Sequence, residues 1–200
     1  MSETIAYSWL TTLLRRLNHI APTITIELTV DVTSVLHNQL ESGSIDIAFI
    51  LGTSTNTNMT NEHLFTTPLS WVASTKLDIE QTKQSLSNLA KWPIITFARN
   101  TLPFNEINQE FIKQLDKPAR LFSSNSLAIC HSMVFDGIGV GALPFELLKK
   151  DIKRGSLVTI SAEWNASDLN FNAVCFASPY RPELKLITKL AKTIANEFIN

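Results

Sequence analysis

Two segments of the sequence, about ninety residues apart, share one pattern. In Leu40–Phe49 and Val134–Pro144 the end of an amphipathic helix is followed by a glycine and then by an apolar run. Gly43 and Gly137 stand just past the predicted helix ends, where a left-handed residue is favoured. The apolar runs after them are typical of short strands that are buried on both faces. The repetition predicts two similar lobes built from helices and strands.

The residues before the first glycine predict a helix, a strand and a second helix. Leucines and Trp9 recur at helical spacing and give a helix over Thr4–Ile20. Strict alternation of apolar residues predicts a strand over Ile24–Val30, with one drier face. A helix capped by Thr33 or Ser34 then leads to the strand Ile45–Leu51, and this order implies a right-handed crossover and a parallel sheet. The following segment, 52–62, is predicted to be an exposed polar loop.

The middle of the chain continues the alternation of strands and helices. Leu64–Ser74 is strand-like with Pro68 as an interruption, and Ile94–Phe97 is a buried strand. A strand over Ala119–Phe122 precedes a helix that Ser124 or Asn125 caps. Such alternation predicts an α/β fold.

Composition excludes several classes of protein. The 200 residues carry a formal net charge of -1, and no basic patch indicates a nucleic-acid surface. No apolar run reaches membrane-spanning length, and the start of the chain lacks the cationic region of a signal peptide. Cys130 and Cys175 are far apart and are predicted to be reduced thiols. These features predict a cytoplasmic protein without membrane contact.

No pattern in the sequence indicates an enzyme. The four histidines show no metal-ligand spacing with each other or with cysteine, and no nucleophile elbow or phosphate-binding loop is present. The spacing of glycines in Gly137–Gly141 is similar to that of a dinucleotide-binding loop, but Ala-Leu-Pro follows it, and this pattern predicts a strand. We therefore expect no catalytic activity, no cofactor and no metal.

Four polar segments open predicted helices at the carboxyl ends of strands, where α/β sheets bind ligands. Neither the helix after Thr33 nor the helix after Ser124 has an acidic residue in its first turn, which suits a negatively charged ligand. Arg99 is the cation of these segments and can clamp a carboxylate. The alternatives are that the hydroxyl residues are ordinary helix caps and that the arginine is solvated. The candidate ligand-binding residues are Ser2, Thr4, Thr33, Arg99, Asn100, Thr101, Ser123, Ser124 and Asn125.

The two glycine motifs, in this order and at this spacing, resemble the effector-binding domain of LysR-type transcriptional regulators. The resemblance covers nearly the whole chain. It implies two Rossmann-like lobes of the type II periplasmic-binding-protein-like class, joined by a hinge of two crossover segments. Lobe I would comprise 1–72 and 175–200, and lobe II 73–174. The family's effector cleft would lie at the same four polar segments.

The resemblance also implies what this sequence lacks. The family has a winged helix-turn-helix domain and a linker helix, and neither is in these residues, so DNA would be bound only through that missing domain. The family's first strand, which would precede Ser2, is missing too, so lobe I would be one strand short. The chain would be a segment of a longer regulator or a truncated reading frame.

The resemblance implies a homodimer, or a tetramer in a full-length regulator. The first helix carries Trp9, Leu10 and Leu13 on one broad face, and we expect this face to be exposed and to form an antiparallel, two-fold dimer. The alternative is that these three residues belong to the core.

The predicted function is to sense a small polar or anionic effector between the lobes and so to control the geometry of a DNA-bound oligomer. One alternative is the solute-binding protein of a transporter, which shares the two-lobe architecture. A second is a small enzyme on the same two-lobe form, similar to porphobilinogen deaminase or prephenate dehydratase. The absence of a signal peptide and of a catalytic constellation favours the regulator.

Overall fold

Helices and strands alternate along the chain, and the α/β class is confirmed. The computed structural model describes residues 1–80 and 82–199. Its helices are α1 (Glu3–Ser8), α2 (Leu10–Ile20), α3 (Thr33–Glu41), α4 (Leu86–Leu89), α5 (Leu102–Leu115), α6 (Leu127–Phe135), α7 (Phe145–Lys153) and α8 (Pro182–Ile199). Its strands are β1 (Ala48–Leu51), β2 (Met59–Thr67), β3 (Leu69–Ser74), β4 (Ile94–Phe97), β5 (Leu121–Ser124), β6 (Val140–Pro144), β7 (Leu157–Thr159) and β8 (Leu169–Phe176).

The predicted N-terminal helix is two helices that meet at Trp9. The backbone of this residue leaves the helical region, with φ of -117° and ψ of 5°. Its ring packs on Phe49 and Phe65, with centroids 6.1 Å away in both cases. Trp9, Leu10 and Leu13 are each less than one-tenth exposed. The predicted exposure of this face is therefore wrong, because the three side chains are committed to the core.

The chain divides into two compact units. Unit 1 comprises Met1–Thr66 and Leu169–Asn200, and unit 2 comprises Thr67–Asp168. The sheet of unit 1 has the order β1-β8-β2, and β1 runs antiparallel to β8. Leu36 and Leu40 of α3 are fully buried against β1 and β8. Strand β1 is therefore an edge strand of this sheet.

The predicted strand over Ile24–Val30 is not formed. These residues are assigned to no strand, and β1 pairs with β8 rather than lying in a parallel pair with this segment. Ile26, Leu28 and Val30 are 40%, 45% and 46% exposed, so the predicted drier face is not buried. The alternating pattern specifies an extended chain, but a strand also needs a partner within hydrogen-bonding distance.

Three further boundaries differ from the predictions. Strand β1 begins at Ala48 rather than at the predicted Ile45. The segment predicted as a polar loop already contains the start of β2 at Met59, because strand pairing with β8 extends into it. Strand β5 starts at Leu121 and runs to Ser124, two residues later than predicted. The shift makes Ser124 the last residue of a strand rather than a helix cap.

The sheet of unit 2 has the order β5-β4-β6-β3-β7. Strand β4 is parallel to both of its neighbours, with Ile94 opposite Leu121 on one side and Val140 on the other. Strand β3 is antiparallel to β6 and β7. Helix α6 covers this sheet through the buried side chains of Leu127, Cys130 and Val134. The parallel β5-β4-β6 part carries the candidate site of this unit.

The glycines of the second motif permit close packing. Gly137 follows α6 with φ of +77°, as predicted, and Gly43 follows α3 with φ of +71°. A Cβ on Gly139 would lie 2.2 Å from the carbonyl oxygen of Pro93, and one on Gly141 would lie 2.5 Å from Cγ2 of Val134. These two glycines let β6 and the residue before it pack closely against Pro93 and α6. The motif therefore serves close packing and does not form a nucleotide-binding loop.

Candidate functional site

The predicted ligand-binding residues of unit 2 lie together at one edge of its sheet. The parallel strands β4 and β5 place Thr96 opposite Ser123 and Phe97 opposite Ser124. Parallel strands that are in register end at the same edge, so the segments that follow them leave the sheet side by side. This edge brings together Arg99, Asn100, Thr101, Ser123, Ser124 and Asn125.

Two hydroxyl groups shape the turns at this edge. The Oγ1 of Thr101 donates a hydrogen bond of 2.7 Å to the carbonyl oxygen of Ala98. The Oγ of Ser124 accepts a hydrogen bond of 3.0 Å from the backbone N–H of Ser126. Ser126 is the residue that caps α6, with its Oγ 3.4 Å from the N–H of Ile129, so the prediction that Ser124 or Asn125 caps this helix is wrong. The cap falls later because β5 extends to Ser124.

The electrostatics of this edge favour an anion. Helices α5 and α6 both begin there, and neither has an acidic residue in its first turn. The N-terminus of a helix carries a partial positive charge and offers backbone N–H groups. The side chains of Arg99, Asn100, Ser123 and Asn125 are exposed and add a guanidinium group, amides and a hydroxyl to the same edge. The arrangement can bind a carboxylate or a similar anion.

In unit 1, two predicted residues are attached to the end of β1. The N–H of Ser2 donates to the carbonyl oxygen of Phe49 at 2.8 Å, and the Oγ1 of Thr33 accepts from the N–H of Leu51 at 3.2 Å. Ser2 precedes α1 and Thr33 is the first residue of α3. Both therefore lie where α1 and α3 start beside this strand. Thr4 is the second residue of α1 and is 4% exposed.

The predicted capping role of Thr33 is wrong. The cap residue of α3 is Val32, in an extended conformation and without a side-chain cap bond. The hydroxyl of Thr33 instead joins the helix to β1. Because this helix has no acidic residue in its first turn, its N-terminus keeps the polarity that suits an anion.

Thr96 was missed by the sequence analysis. It is fully buried, and its Oγ1 has no hydrogen-bond partner among the described residues. Its carbonyl oxygen accepts from the Sγ of Cys130 at 3.3 Å. A threonine inside the apolar run Ile94–Phe97 was the available signal. It places a polar group one residue before the end of β4.

Both cysteines are thiols rather than halves of a disulfide. Cys130 is buried in α6, and Cys175 in β8 has its Sγ 3.3 Å from the Oγ1 of Thr60. Within residues 1–80 and 82–199, no three side chains of His, Cys, Asp or Glu are gathered as metal ligands. No helix of that part of the chain is long and apolar enough to span a bilayer.

Comparison with known proteins identifies a family. The sequence profile of the LysR substrate binding domain matches residues 1–186. The apo-form regulatory domain of HypT from Salmonella typhimurium is similar in structure, with a TM-score of 0.80 and 14% identity over 98% of this chain and 93% of that chain. The reduced regulatory domain of OxyR2 from Vibrio vulnificus gives 0.74 and 18%, over 98% and 92%. No curated protein matches by sequence.

One of the similar structures is a longer chain than this one. A mutant of OxyR from Corynebacterium glutamicum matches with a TM-score of 0.75 and 18% identity, over 99% of this chain and 63% of that one. The chain thus spans less than two thirds of the length of that regulator. At these identities the structural matches establish the fold, which is type II periplasmic-binding-protein-like as predicted. They do not favour a transporter solute-binding protein.

Proposed function

Because this chain belongs to the LysR substrate-binding domain family, we propose that it senses a small polar or anionic effector for a LysR-type transcriptional regulator. The effector binds between the two lobes and changes the geometry of a DNA-bound oligomer. DNA is contacted only through a domain outside these residues. The domain works in the cytoplasm as a homodimer, within a tetramer in a full-length regulator, and performs no catalytic step.

The carboxyl edge of β4 and β5 is the observation that carries this proposal. Two helix N-termini without acidic first-turn residues meet the exposed guanidinium of Arg99 at one place. A guanidinium group can hold a carboxylate with two parallel hydrogen bonds, and backbone N–H groups can bind the remaining oxygen atoms. We assign Arg99, Asn100, Thr101, Ser123, Ser124 and Asn125 to this half of the site.

Unit 1 supplies the other half of the proposed site through Ser2, Thr4 and Thr33. Hydrogen bonds from both units to one ligand are strongest in a single arrangement of the two. A ligand that binds one arrangement better than the other shifts the population toward it. This differential affinity is what a regulatory domain needs to transmit binding to a partner domain.

A thermal-shift screen with mono- and dicarboxylate metabolites tests the proposal. A ligand present at 100 times its Kd should stabilise the domain by about 2.7 kcal/mol. For any hit, Arg99→Ala should weaken binding by about 10- to 100-fold, because a charged hydrogen bond contributes about 1.5–3 kcal/mol.

Arg120→Ala is the matched control for this experiment. Arg120 is also exposed but precedes β5, at the opposite end of the strand from the candidate site. Its removal changes the net charge by the same amount and should leave the affinity unchanged. Equal losses in both variants would show a general charge effect, and no loss in Arg99→Ala would remove the arginine from the site.

A further inference from the structure

Two hydroxyl groups of the candidate site in unit 2 have opposite hydrogen-bonding roles. A hydroxyl group has one hydrogen to donate and two lone pairs that accept. The Oγ1 of Thr101 lies 2.7 Å from the carbonyl oxygen of Ala98. Because a carbonyl oxygen can only accept, this bond uses the hydroxyl hydrogen of Thr101. The lone pairs remain, so Thr101 can accept a hydrogen bond from a ligand but cannot donate one.

The hydroxyl group of Ser124 is in the reverse state. Its Oγ accepts a hydrogen bond of 3.0 Å from the backbone N–H of Ser126, and this bond uses a lone pair. The hydroxyl hydrogen is not used in this bond and can be donated to a ligand. Ser124 therefore suits an anionic oxygen atom, whereas Thr101 suits a group that carries a hydrogen.

Both hydroxyl groups lie where one small molecule can contact them. Ser124 is opposite Phe97 at the ends of two adjacent parallel strands. Thr101 is bonded to Ala98, the residue that follows Phe97. Adjacent strands are about 4.8 Å apart, and both side chains are partly exposed. A molecule at this edge can therefore donate to Thr101 while it accepts from Ser124.

A third hydroxyl group, that of Thr96, lies two residues before Ala98. Thr96 is fully buried, and its Oγ1 has no hydrogen-bond partner among the described residues. It is opposite Ser123 on β5, so the two side chains are on the same face of the sheet. A buried hydroxyl group without a hydrogen bond is unfavourable. The end of β4 thus has unmet hydrogen-bonding capacity, which favours a polar ligand at this edge.

The electrostatics of the edge decide which kind of donor faces Thr101. Helices α5 and α6 begin there without an acidic residue in the first turn, and Arg99 is exposed beside them. Glu106, the first acidic residue of α5, comes after that turn and accepts from the N–H of Ser167 at 2.9 Å. An ammonium group is repelled by the positive charges of this edge, whereas a hydroxyl group is neutral. The donor that the edge favours is therefore a hydroxyl group.

We propose that the effector of this site is a hydroxycarboxylate, whose carboxylate binds Arg99 and Ser124 and whose hydroxyl group donates to Thr101. The inference rests on the proposed function, because it names the class of effector for the same site. It makes Thr101 the residue that distinguishes a hydroxycarboxylate from the same carboxylate without its hydroxyl group. Sequence reasoning treats Thr101 and Ser124 as equivalent, and only their hydrogen bonds separate the two roles.

Two sets of matched compounds test the proposal. Lactate, propionate and alanine share one carbon skeleton and carry a hydroxyl group, a hydrogen atom and an ammonium group at the same carbon; malate, succinate and aspartate form the corresponding dicarboxylate set. The Kd of each for the 200-residue chain is measured by NMR titration of the amide signals of residues 99–101 and 123–125. The hydroxyl compound should bind about 3- to 10-fold more tightly than the compound without a donor, as expected for one neutral hydrogen bond. The ammonium compound should show no such gain.

Substitutions assign this discrimination to Thr101. Thr101→Val removes the acceptor, so the ratio of the Kd values without and with the hydroxyl group should fall to about one, and Thr101→Ser should restore it. Ser124→Ala removes a contact to the carboxylate and should weaken both compounds by the same factor. Thr159→Val is the matched control and should keep the ratio, since Thr159 is exposed on β7, at the other end of the sheet from β5. If Thr101→Val does not fold, the matched compounds on the unaltered chain and on Thr101→Ser decide the matter.

The outcomes separate this proposal from the proposed function. Equal Kd values with and without the hydroxyl group, tighter binding of the ammonium compounds, or an unchanged ratio in Thr101→Val would overturn the hydroxycarboxylate and leave the anion site standing. If none of the six compounds binds, the thermal-shift screen with carboxylate metabolites decides. A hit with a hydroxyl group then supports the proposal, a hit without one overturns it alone, and the lack of any carboxylate hit overturns both.

Discussion

Replacing Gly141 with alanine should destabilise unit 2, because the added methyl group overlaps Val134. The new Cβ would lie 2.5 Å from Cγ2 of Val134 and 3.3 Å from Cγ of Leu143. Carbon atoms in contact prefer about 3.5–4.0 Å, so the overlap with Val134 is about 1 Å. Val134 is fully buried between α6 and the sheet and has little freedom to move. Overpacking of this kind costs about 1–3 kcal/mol, and we expect the upper end of that range.

A double-mutant cycle isolates the overlap. Val134→Ala alone removes two buried methyl groups and should cost about 2 kcal/mol. It also removes the atom that Gly141→Ala would meet, so the double variant should be less destabilised than the sum by about 1–2 kcal/mol. Urea denaturation of the four proteins, monitored by circular dichroism, gives the free energies of unfolding.

Gly155→Ala is the control for backbone effects. Gly155 has φ of +73° with no atom within 4 Å of its Cβ position, so alanine there adds only left-handed strain of about 1 kcal/mol. This loss should be additive with Val134→Ala. A coupling below about 0.5 kcal/mol between Gly141→Ala and Val134→Ala would refute the close-packing explanation of the glycine motif.

Two other predictions concern buried polar groups. The amino group of Met1 has an ordinary pKa of 8.0 that is lowered to about 6 in the fold, so between pH 6 and 8 the unfolded chain binds more protons and stability should rise with pH. The pKa shift limits this gain in stability to about 2.7 kcal/mol, and solvent screening of the part-exposed amine reduces it to about 1 kcal/mol. Acetylation of Met1 should remove the rise. If the urea midpoint of the acetylated protein keeps the same pH profile, the rise does not come from the amino group of Met1. Trp71 is 2% exposed, and its indole N–H donates to the carbonyl oxygen of Trp164 at 2.9 Å. Trp71→Phe leaves that oxygen unpaired and should lower the free energy of unfolding, measured by urea denaturation, by about 1–3 kcal/mol. Trp164→Phe keeps the acceptor and should cost less; the reverse order would show that ring packing dominates.

The sequence predicted most of the fold because its local signals agree with the final packing. Gly43 and Gly137 fix the ends of α3 and α6, and Pro118 follows the end of α5. Apolar runs such as Ile94–Phe97 became buried strands. These signals are local, so they can be read without knowledge of the partner elements.

Errors arose where a distant partner decides the outcome. Ile24–Val30 has the alternation of a strand, but whether it pairs depends on a neighbour that local periodicity does not reveal. The exposure of the Trp9 face depended on whether Phe49 and Phe65 cover it. For the candidate site, the polar segments could be found from strand and helix order, but the bond from Leu51 to Thr33 could not.

The candidate residues of the two units are attached to strands that differ in their support. Ser2 and Thr33 are both bonded to β1, through Phe49 and Leu51. Among the described residues β1 is an edge strand, paired with β8 on one side only. In unit 2, Arg99, Asn100 and Thr101 follow β4, which is paired with a strand on each side. A strand held on both sides restrains the residues that follow it more tightly, so the candidate residues of unit 2 should be held more precisely than those of unit 1.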